Sequence, residues 1–513
     1  MRVFPCLIIV LGVMLAGLAH PVSAATWHVA PHGSDDAGNG SPNAPFATIT
    51  AGLDAASPGD TVLVAPGDYW GRVRLRGDFS QPVTVRSEVP YQARLRNNET
   101  VVTCYYGRGI VLEGFDIAHD GPGAGALVVH IQNLRDDGGE VADITLANNV
   151  FHDSFNNDLL KINNGAHHVL VQSNLFYNQE GSDEHMDINS AVHVTVVDNV
   201  FFNDFEGSNR PNANDTSSFI VIKDSNGRDD AYLGSQDILV ARNIFFHWQG
   251  SSGANCVLVG EDGNPYHEAQ SVIIENNLVL GDSQSVMRAP FGVKGGADII
   301  IRHNTVSGDL PSRAHSVRLN QEGDNPPNQN ITIAGNIFSD PTGSMGAPSA
   351  SDTPDFSDTP RGQTRDWVLR GNLVFNGGRG LPSNSEDLIN PGDDPMLVQA
   401  DPGLALPRNI PLPRWNPGRG TFGDGSASIR QVNIGAGNIA SAIAEVAKGS
   451  NDMSRNAAEA ARGANDVASN IQDISEAAAN ANEGAMQVDR SAGELAMVAA
   501  ELQKMVTRFK VEG

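Results

Sequence analysis

The chain has 513 residues, 54 glycines, 6% aromatic residues and a formal net charge of -26. Such an acidic balance excludes unassisted binding of nucleic acid, and an anionic ligand would need a divalent cation between it and the protein. The length allows two to four domains, and the glycine content points to an all-β chain with many sharp turns over most of it.

Residues 1–24 read as a secretory signal peptide: Arg2, an apolar run from Leu7 to Leu18, then Val22-Ser23-Ala24 before a polar start at Ala25. The expected location is therefore secreted or periplasmic. An uncleaved anchor is the alternative, although the run is shorter than the roughly 20 residues a spanning helix needs. Beyond it stand Cys104 and Cys256, expected to be buried and too far apart to bridge.

From Thr26 the chain alternates short strands with turns. Trp27 to Ala30 is a strand, and His32 to Pro45 is a loop rich in glycine, proline and aspartate. Phe46, Ile49 and Leu53 follow at helical spacing, which predicts a short helix over 46–56 that covers the open end of a repeat array. Pro58-Gly59-Asp60 then turns into Thr61-Val62-Leu63-Val64.

From about Val101 to Phe375 the chain carries one recurring phrase: Asn149-Val150-Phe151, Asn174-Leu175-Phe176, Asn199-Val200-Phe201, Asn243-Ile244-Phe245, Asn277-Leu278-Val279, Asn304-Thr305-Val306, Asn336-Ile337-Phe338 and Asn372-Leu373-Val374. Successive asparagines are 25, 25, 44, 34, 27, 32 and 36 residues apart. A unit this small cannot bury its own apolar side, so the copies must stack, with equivalent side chains in columns about 4.8 Å apart. The asparagine suits a bend between strands, where its amide can pair with backbone groups and with the next amide. The expected fold is a parallel β-helix solenoid over residues 25–376.

The Gly33-Ser34-Asp35 loop, the Pro45-Phe46-Ala47-Thr48-Ile49 phrase and the Pro58-Gly59-Asp60-Thr61-Val62 turn resemble the amino-terminal region of secreted β-helix proteins of the pectate-lyase-like superfamily. With the asparagine repeats, the resemblance covers residues 26–375, and it implies that the solenoid is a right-handed parallel β-helix. It implies fold more than activity, because that superfamily holds lyases, hydrolases, epimerases and binding proteins.

Residues 377–425 are irregular, with prolines at 402, 407, 411, 413 and 417, and are expected to run back along the solenoid or to form a linker. From Ser426 to Gly513 proline vanishes and an apolar stripe runs through Ile429, Val432, Ile439, Ile443 and Val446, resuming at Val467 and continuing to Phe509. This predicts an α-helical, coiled-coil-like extension that could hold a homo-oligomer together. Ile443-Ala444-Glu445-Val446, Ser454 to Ala458 and Val467 to Ile471 resemble the returning helix of a methyl-accepting chemotaxis protein signalling domain, without its outgoing helix or hairpin tip. A receptor-like signalling fusion is the functional reading this resemblance implies.

The candidate chemistry clusters between the second and third asparagine copies, at Asn178, Glu180, Asp183, Glu184, His185, Asp187 and Asn189. On a strand, Asp183, His185 and Asp187 would share one face, and paired carboxylates suit a hard cation such as Ca²⁺. The phrase from Asp183 to Ile188 resembles the pectate lyase strand whose two aspartates bind calcium, which implies Asp183 and Asp187 as metal ligands. Glu206 stands where that family places a lysine, and no Arg-x-Pro-x-x-Arg phrase follows. β-Elimination from a uronic acid needs a base, a neutraliser for the carboxylate and an acid. Lys161 or Lys223 is expected as base, Arg288 or Arg318 as neutraliser and His185 as acid. His168 and His193, 25 apart, read as a structural ladder. Trp70, Tyr105, Tyr106, Trp248 and Tyr266 could stack on sugars. The expected ligand is an acidic polysaccharide, handled by a calcium-assisted lyase or epimerase; the alternative is a non-catalytic glycan-binding or structural solenoid.

Overall fold

A computed structural model describes residues 24–404, apart from 135–138, 181–182, 211–215, 231, 252, 254, 282–286, 309–314, 342, 344–355 and 382–388. It further describes residues 412, 415–416, 421–422 and 486–505. The chain divides into two compact units, Met1–Ile443 and Ala444–Gly513.

The first unit is a parallel β-helix. Each coil supplies three short strands, and each strand pairs in parallel with its equivalent one coil earlier and one coil later. In the first column, Val129–Gln132, Leu160–Asn163, Glu184–Asn189, Ser218–Lys223 and Asn255–Val259 follow one another. The second holds Val141–Ala147, His167–Gln172, Val192–Val197 and Ser235–Ala241. The third starts at Gly67–Trp70 and runs through Ala93–Asn97, Asp116–His119, Val150–His152 and Leu175–Tyr177 to Leu373–Asn376. Near the amino-terminal end, Val73–Ser87 and Val102–Glu113 run through the first two columns without a break.

The turn between the second and third columns explains the recurring phrase. The residue before each asparagine adopts a left-handed backbone, with φ between 54° and 59° from Asn148 to His303 and with glycine at 335 and 371. That conformation reverses the chain in one step and suits Asn, Asp or Gly. The eight asparagines that follow are buried and lie in one column. Asn199 is representative: its Nδ2 donates to the Val171 carbonyl at 2.9 Å and to Asn243 Oδ1 at 3.0 Å, while its Oδ1 accepts from Asn174 N at 2.9 Å. At the end of the column Asp394 replaces the next asparagine, with Oδ2 accepting from Asn372 N at 2.8 Å. Two residues on from four of the asparagines, Phe151, Phe176, Phe201 and Phe245 stack at 4.8, 4.8 and 5.1 Å between ring centroids. Each such pair contributes about 0.5–1.5 kcal/mol beyond its buried area.

The short helix is Ile49–Ala55, begun by Thr48, whose side chain accepts from Ala51 N. Ile49 and Leu53 enter the core of the first coils, so the helix covers that end as its spacing predicted. Cys104 and Cys256 are buried and unbridged. Of the irregular segment, Val398 pairs with the last coil through Val374 N, and Leu412 packs on an apolar cluster outside the third column. Of the second unit, residues 486–505 form a helix whose described side chains are exposed. All but the last residue of the expected signal peptide, 1–24, and the receptor-like phrases between 443 and 471 lie outside the described residues. Among the described residues no helix is long and apolar enough to cross a membrane.

Candidate functional site

The site is built where the third column's strands hand over to the first. Strand register places Lys161 beside Asp187 and Asn189 beside Lys223, all on the outer face of the first column. Asp158 closes the loop that enters Leu160–Asn163, and one coil on, Asp183 and Glu184 close the equivalent loop. One oxygen from each of Asp158, Asp183 and Glu184 lies within 4.8 Å of the other two. Lys161 Nζ sits 2.5 Å from Asp187 Oδ2 and 3.8 Å from Asp158 Oδ2. Three clustered carboxylates and the Asp187–Lys161 pair therefore lie side by side, with Lys223 close enough to feel Asp187 and Glu184 electrostatically.

Burial makes this arrangement electrostatically loaded. Asp158, 1% exposed, has its proton affinity pushed up to about 7, by burial first and by Asp187 second. Burial and then Asp158 hold Glu184 well above the ordinary carboxylate range. Asp183 is also raised, again by burial first. Hydrogen bonds compensate only in part: Asp158 Oδ1 accepts from Glu184 N at 3.0 Å, and Ser217 Oγ donates to Glu184 Oε1 at 2.7 Å. Asp158 Oδ2 and Asp187 Oδ1 are buried with no hydrogen-bond donor. Oxygen donors that crowd together and lack partners are the kind of set a hard cation takes up. The chemistry of Asp158, Asp183 and Glu184 fits Ca²⁺, which adds Asp158 and Glu184 to the Asp183 the sequence suggested, while Asp187 adjoins them with one oxygen on Lys161 and the other without a donor.

Both lysines are held as ammonium ions. Burial works against the charge of Lys161, but Asp187 and Asp158 outweigh it and raise its proton affinity. Lys223 is raised in the same way, with Asp187 and Glu261 outweighing burial. Its Nζ contacts Glu261 Oε2 at 2.7 Å and Asp262 Oδ1 at 3.4 Å. The loop that carries those two acids is tied down by buried Glu268, which accepts from the backbone N–H groups of Glu261, Asp262, Gly263 and Asn264 at 2.8–3.1 Å.

Three sequence expectations need correction. His185 is not a groove acid: it is fully buried, its ring lies 4.9 Å from Phe219, and burial drops its proton affinity to about 3. The alternation of faces fails at the strand's entry, where His185 joins Met186 inside the coil instead of Asp187 outside it. Arg288 and Arg318 do not neutralise a carboxylate bound at Asp187. Both pair with Asp358 Oδ2, at 3.5 and 2.7 Å; Arg318 lies four strand spacings, or about 19 Å, along the column from Asp187, and Arg288 enters the strand one spacing before it. Between them Val221 and Leu258 are buried, so no open path joins the two places along that column. A free lysine base is likewise absent from this state, because Lys161 and Lys223 are both ion-paired.

Sequence reasoning missed Asp158, although the signal was present: it precedes Asp183 by 25 residues, the same interval that separates Asn149 from Asn174. It also passed over His130, next to Lys161 in the outer column, whose Nε2 lies 2.9 Å from Asn163 Oδ1. Burial lowers His130 to about 4, so the ring is neutral near pH 7. The histidines at 168 and 193 form an exposed pair with centroids 4.7 Å apart, both on left-handed backbone. Of the aromatic candidates, Trp70 is 63% exposed and Trp248 is buried.

Residues 32–89 match a family described as a protein of unknown function, DUF1565. No curated protein matches the chain. Among solved structures, it is similar to the pectate lyase Pel9A at 14% identity, covering 69% of this chain and 76% of that one, with a TM-score of 0.36. An alginate lyase from Paenibacillus sp. str. FPU-7 gives 15%, 64%, 92% and 0.38 for the same quantities. The A-module of the Azotobacter vinelandii mannuronan C-5 epimerase AlgE4 gives 17%, 64%, 90% and 0.39. At these values the likenesses say nothing of activity, and the fold rests on the strand pairing described above.

Proposed function

We propose that the protein cleaves or epimerises an acidic, uronate-containing polysaccharide outside the cytoplasm, with a calcium ion held by Asp158, Asp183, Glu184 and Asp187. The observation that carries this reading is the convergence of three carboxylates, Asp158, Asp183 and Glu184, next to the Asp187–Lys161 pair, with Asp158 Oδ2 and Asp187 Oδ1 buried and without a hydrogen bond. A cation bound there supplies positive charge against the substrate carboxylate and makes the adjoining C5 proton more acidic.

Lys223 is the residue we assign as base. It is an ammonium ion without metal; a cation on the carboxylates would offset the negative charge of Asp187 and Glu184 that helps hold its proton, so that Lys223 could release the proton to solvent before it acts. Lys161, kept charged by Asp187, is the proton donor for the departing oxygen. In elimination the C5 proton passes to Lys223 Nζ, the C4–oxygen bond breaks as the C4–C5 double bond forms, and Lys161 protonates the leaving oxygen. In epimerisation the same carbanion is reprotonated from the opposite face.

A hydrolytic reading is favoured by one observation, the proton affinity of Asp158 near 7, which suits a general acid with a second carboxylate as partner. Calorimetric titration with calcium separates the two. The lyase reading expects binding heat that disappears in the Asp158→Asn, Asp183→Asn double variant. An isotherm unchanged by that pair, or no heat in the wild type, removes the cation and leaves hydrolysis or plain binding.

A further inference from the structure

The third column's outer face carries a second recess, on the other side of the coil-to-coil loops from the carboxylate cluster. Register sets Trp70, Arg96, Ala118, His152 and Tyr177 side by side in one outward column. Ala118 is the one small side chain in that row. The gap left between Arg96 and His152 opens into a pocket of about 420 Å³, the size of a small-ligand site.

The pocket's walls are built rather than incidental. Asp116, behind the floor, pairs with Arg96 and with His152 Nε2 at 2.9 Å, and His152 Nδ1 lies 2.7 Å from Asp153 Oδ2. Arg210, 5% exposed at its side chain, reaches back from a later loop to Asp153 at 3.0 Å and lies 3.9 Å over the Phe155 ring. His119, 4% exposed, accepts from Phe155 N at Nδ1, and its Nε2 faces the Leu127 carbonyl without closing a hydrogen bond. At the mouth stands Trp70, 63% exposed, beside the Arg94–Asp68 pair at 2.6 Å, both of whose side chains solvent reaches.

We propose that this pocket binds an acidic sugar unit, with the ring against Trp70 and its anionic group at Arg94 and Arg96. A broad apolar ring next to planar hydrogen-bonding groups is the chemistry that recognises a pyranose, and Asp68 holds the Arg94 guanidinium in a two-bond fork through Nε and Nη2 at 2.6 and 2.7 Å, so a ligand anion would meet Nη1. Among the groups that line the pocket or back its floor, arginines and His152 balance the aspartates. In a chain of net charge -26, a place where cations offset the aspartates repels a polyanion less than a carboxylate-rich surface does. The acid class rests on the glycan reading above. The segment from Asp153 to Asp158 has one end in each site, so one polymer could touch both.

The test is calorimetry in EDTA, so that the carboxylate site is without metal, using trimers from pectate and from alginate with maltotriose as the neutral control. The wild type is expected to bind an acidic trimer, and Trp70→Ala and Ala118→Leu, which fills the gap, are expected to weaken it at least tenfold. Asp158→Asn is expected to bind as the wild type does, which separates this pocket from the proposed cleavage site. The proposal is overturned if no acidic trimer binds, if Trp70→Ala binds as tightly as the wild type, or if maltotriose binds equally well. Trp70 is a surface residue, so its variant keeps the test open should Ala118→Leu fail to fold.

Discussion

Asp187 offers one oxygen to Lys161 Nζ at 2.5 Å while its other oxygen is buried with no donor. That half-satisfied carboxylate, beside Asp158, sets how the site responds to protons and to cations.

The pH dependence of stability follows from Asp158. Its proton affinity rises from the ordinary 3.8 to about 7 on folding. Below about pH 4 both states hold the proton; between about 4 and 7 the folded state holds it and the unfolded chain does not. Stability therefore falls as pH rises through that window and levels off above it. Asp158→Asn should flatten this part of a plot of Tm against pH, and a wild-type Tm that climbs between pH 4 and 7 while the variant climbs equally would contradict the assignment.

Calcium should reverse that loss. Because a cation bound only by the folded state stabilises by mass action, added Ca²⁺ should raise Tm more at pH 8 than at pH 5, where protons occupy the carboxylates. Thermal scans of the wild type and of the Asp158→Asn, Asp183→Asn variant check this. The variant's Tm should be indifferent to the ion.

Glu268 acts on the proposed base through the loop it ties. In Glu268→Gln the carboxylate's four backbone bonds weaken and Glu261 and Asp262 are held less firmly against Lys223. The expected result is a stability loss of about 1–3 kcal/mol and an activity profile shifted to lower pH, since Lys223 then gives up its proton more readily. A kcat profile that keeps its position on the pH axis would leave Glu268 a purely structural role.

The fold itself can be probed at Asn243. Replacing it by alanine strips partners from the Val196 carbonyl and from the Asn199 amide groups, at about 1–3 kcal/mol for each buried group left unpaired. Chemical denaturation should show a loss at the upper end of mutational effects, whereas a Gln329→Ala control, at an exposed strand position, should cost little.

For the second unit, Val488, Leu495 and Leu502 lie seven residues apart on the exposed helix over 486–505, with Val498 and Met505 between and after them. This spacing suits the seam of a coiled coil. Deleting residues 426–513 should reduce the number of subunits seen by light scattering. An unchanged subunit count would remove the oligomerising role.

Much of this was legible in the sequence because a stacked solenoid converts chain spacing into position. Asn149 to Asn372 announced one column, and the structure aligns them. Asp187 beside Lys161 followed from counting one coil. Asp158 was legible by the same count, from Asp183, but lay in a loop without the alternating pattern that draws attention to strands. His185 was misread because a period of two holds within a strand and fails at its entry, where the backbone swings in from a loop. Arg288 and Arg318 were misplaced because a coil's height, not its chemistry, decides which charges meet: three and four strand spacings separate them from Asp187.

The most direct measurement is the release of unsaturated ends, read by ultraviolet absorbance, from pectate, alginate and glycosaminoglycans with calcium, with EDTA and with Lys223→Met. The account predicts a rise on at least one of these polymers that EDTA abolishes and that Lys223→Met lowers by at least a hundredfold. No rise on any acidic glycan, or a rise that Lys223→Met leaves intact, would contradict it.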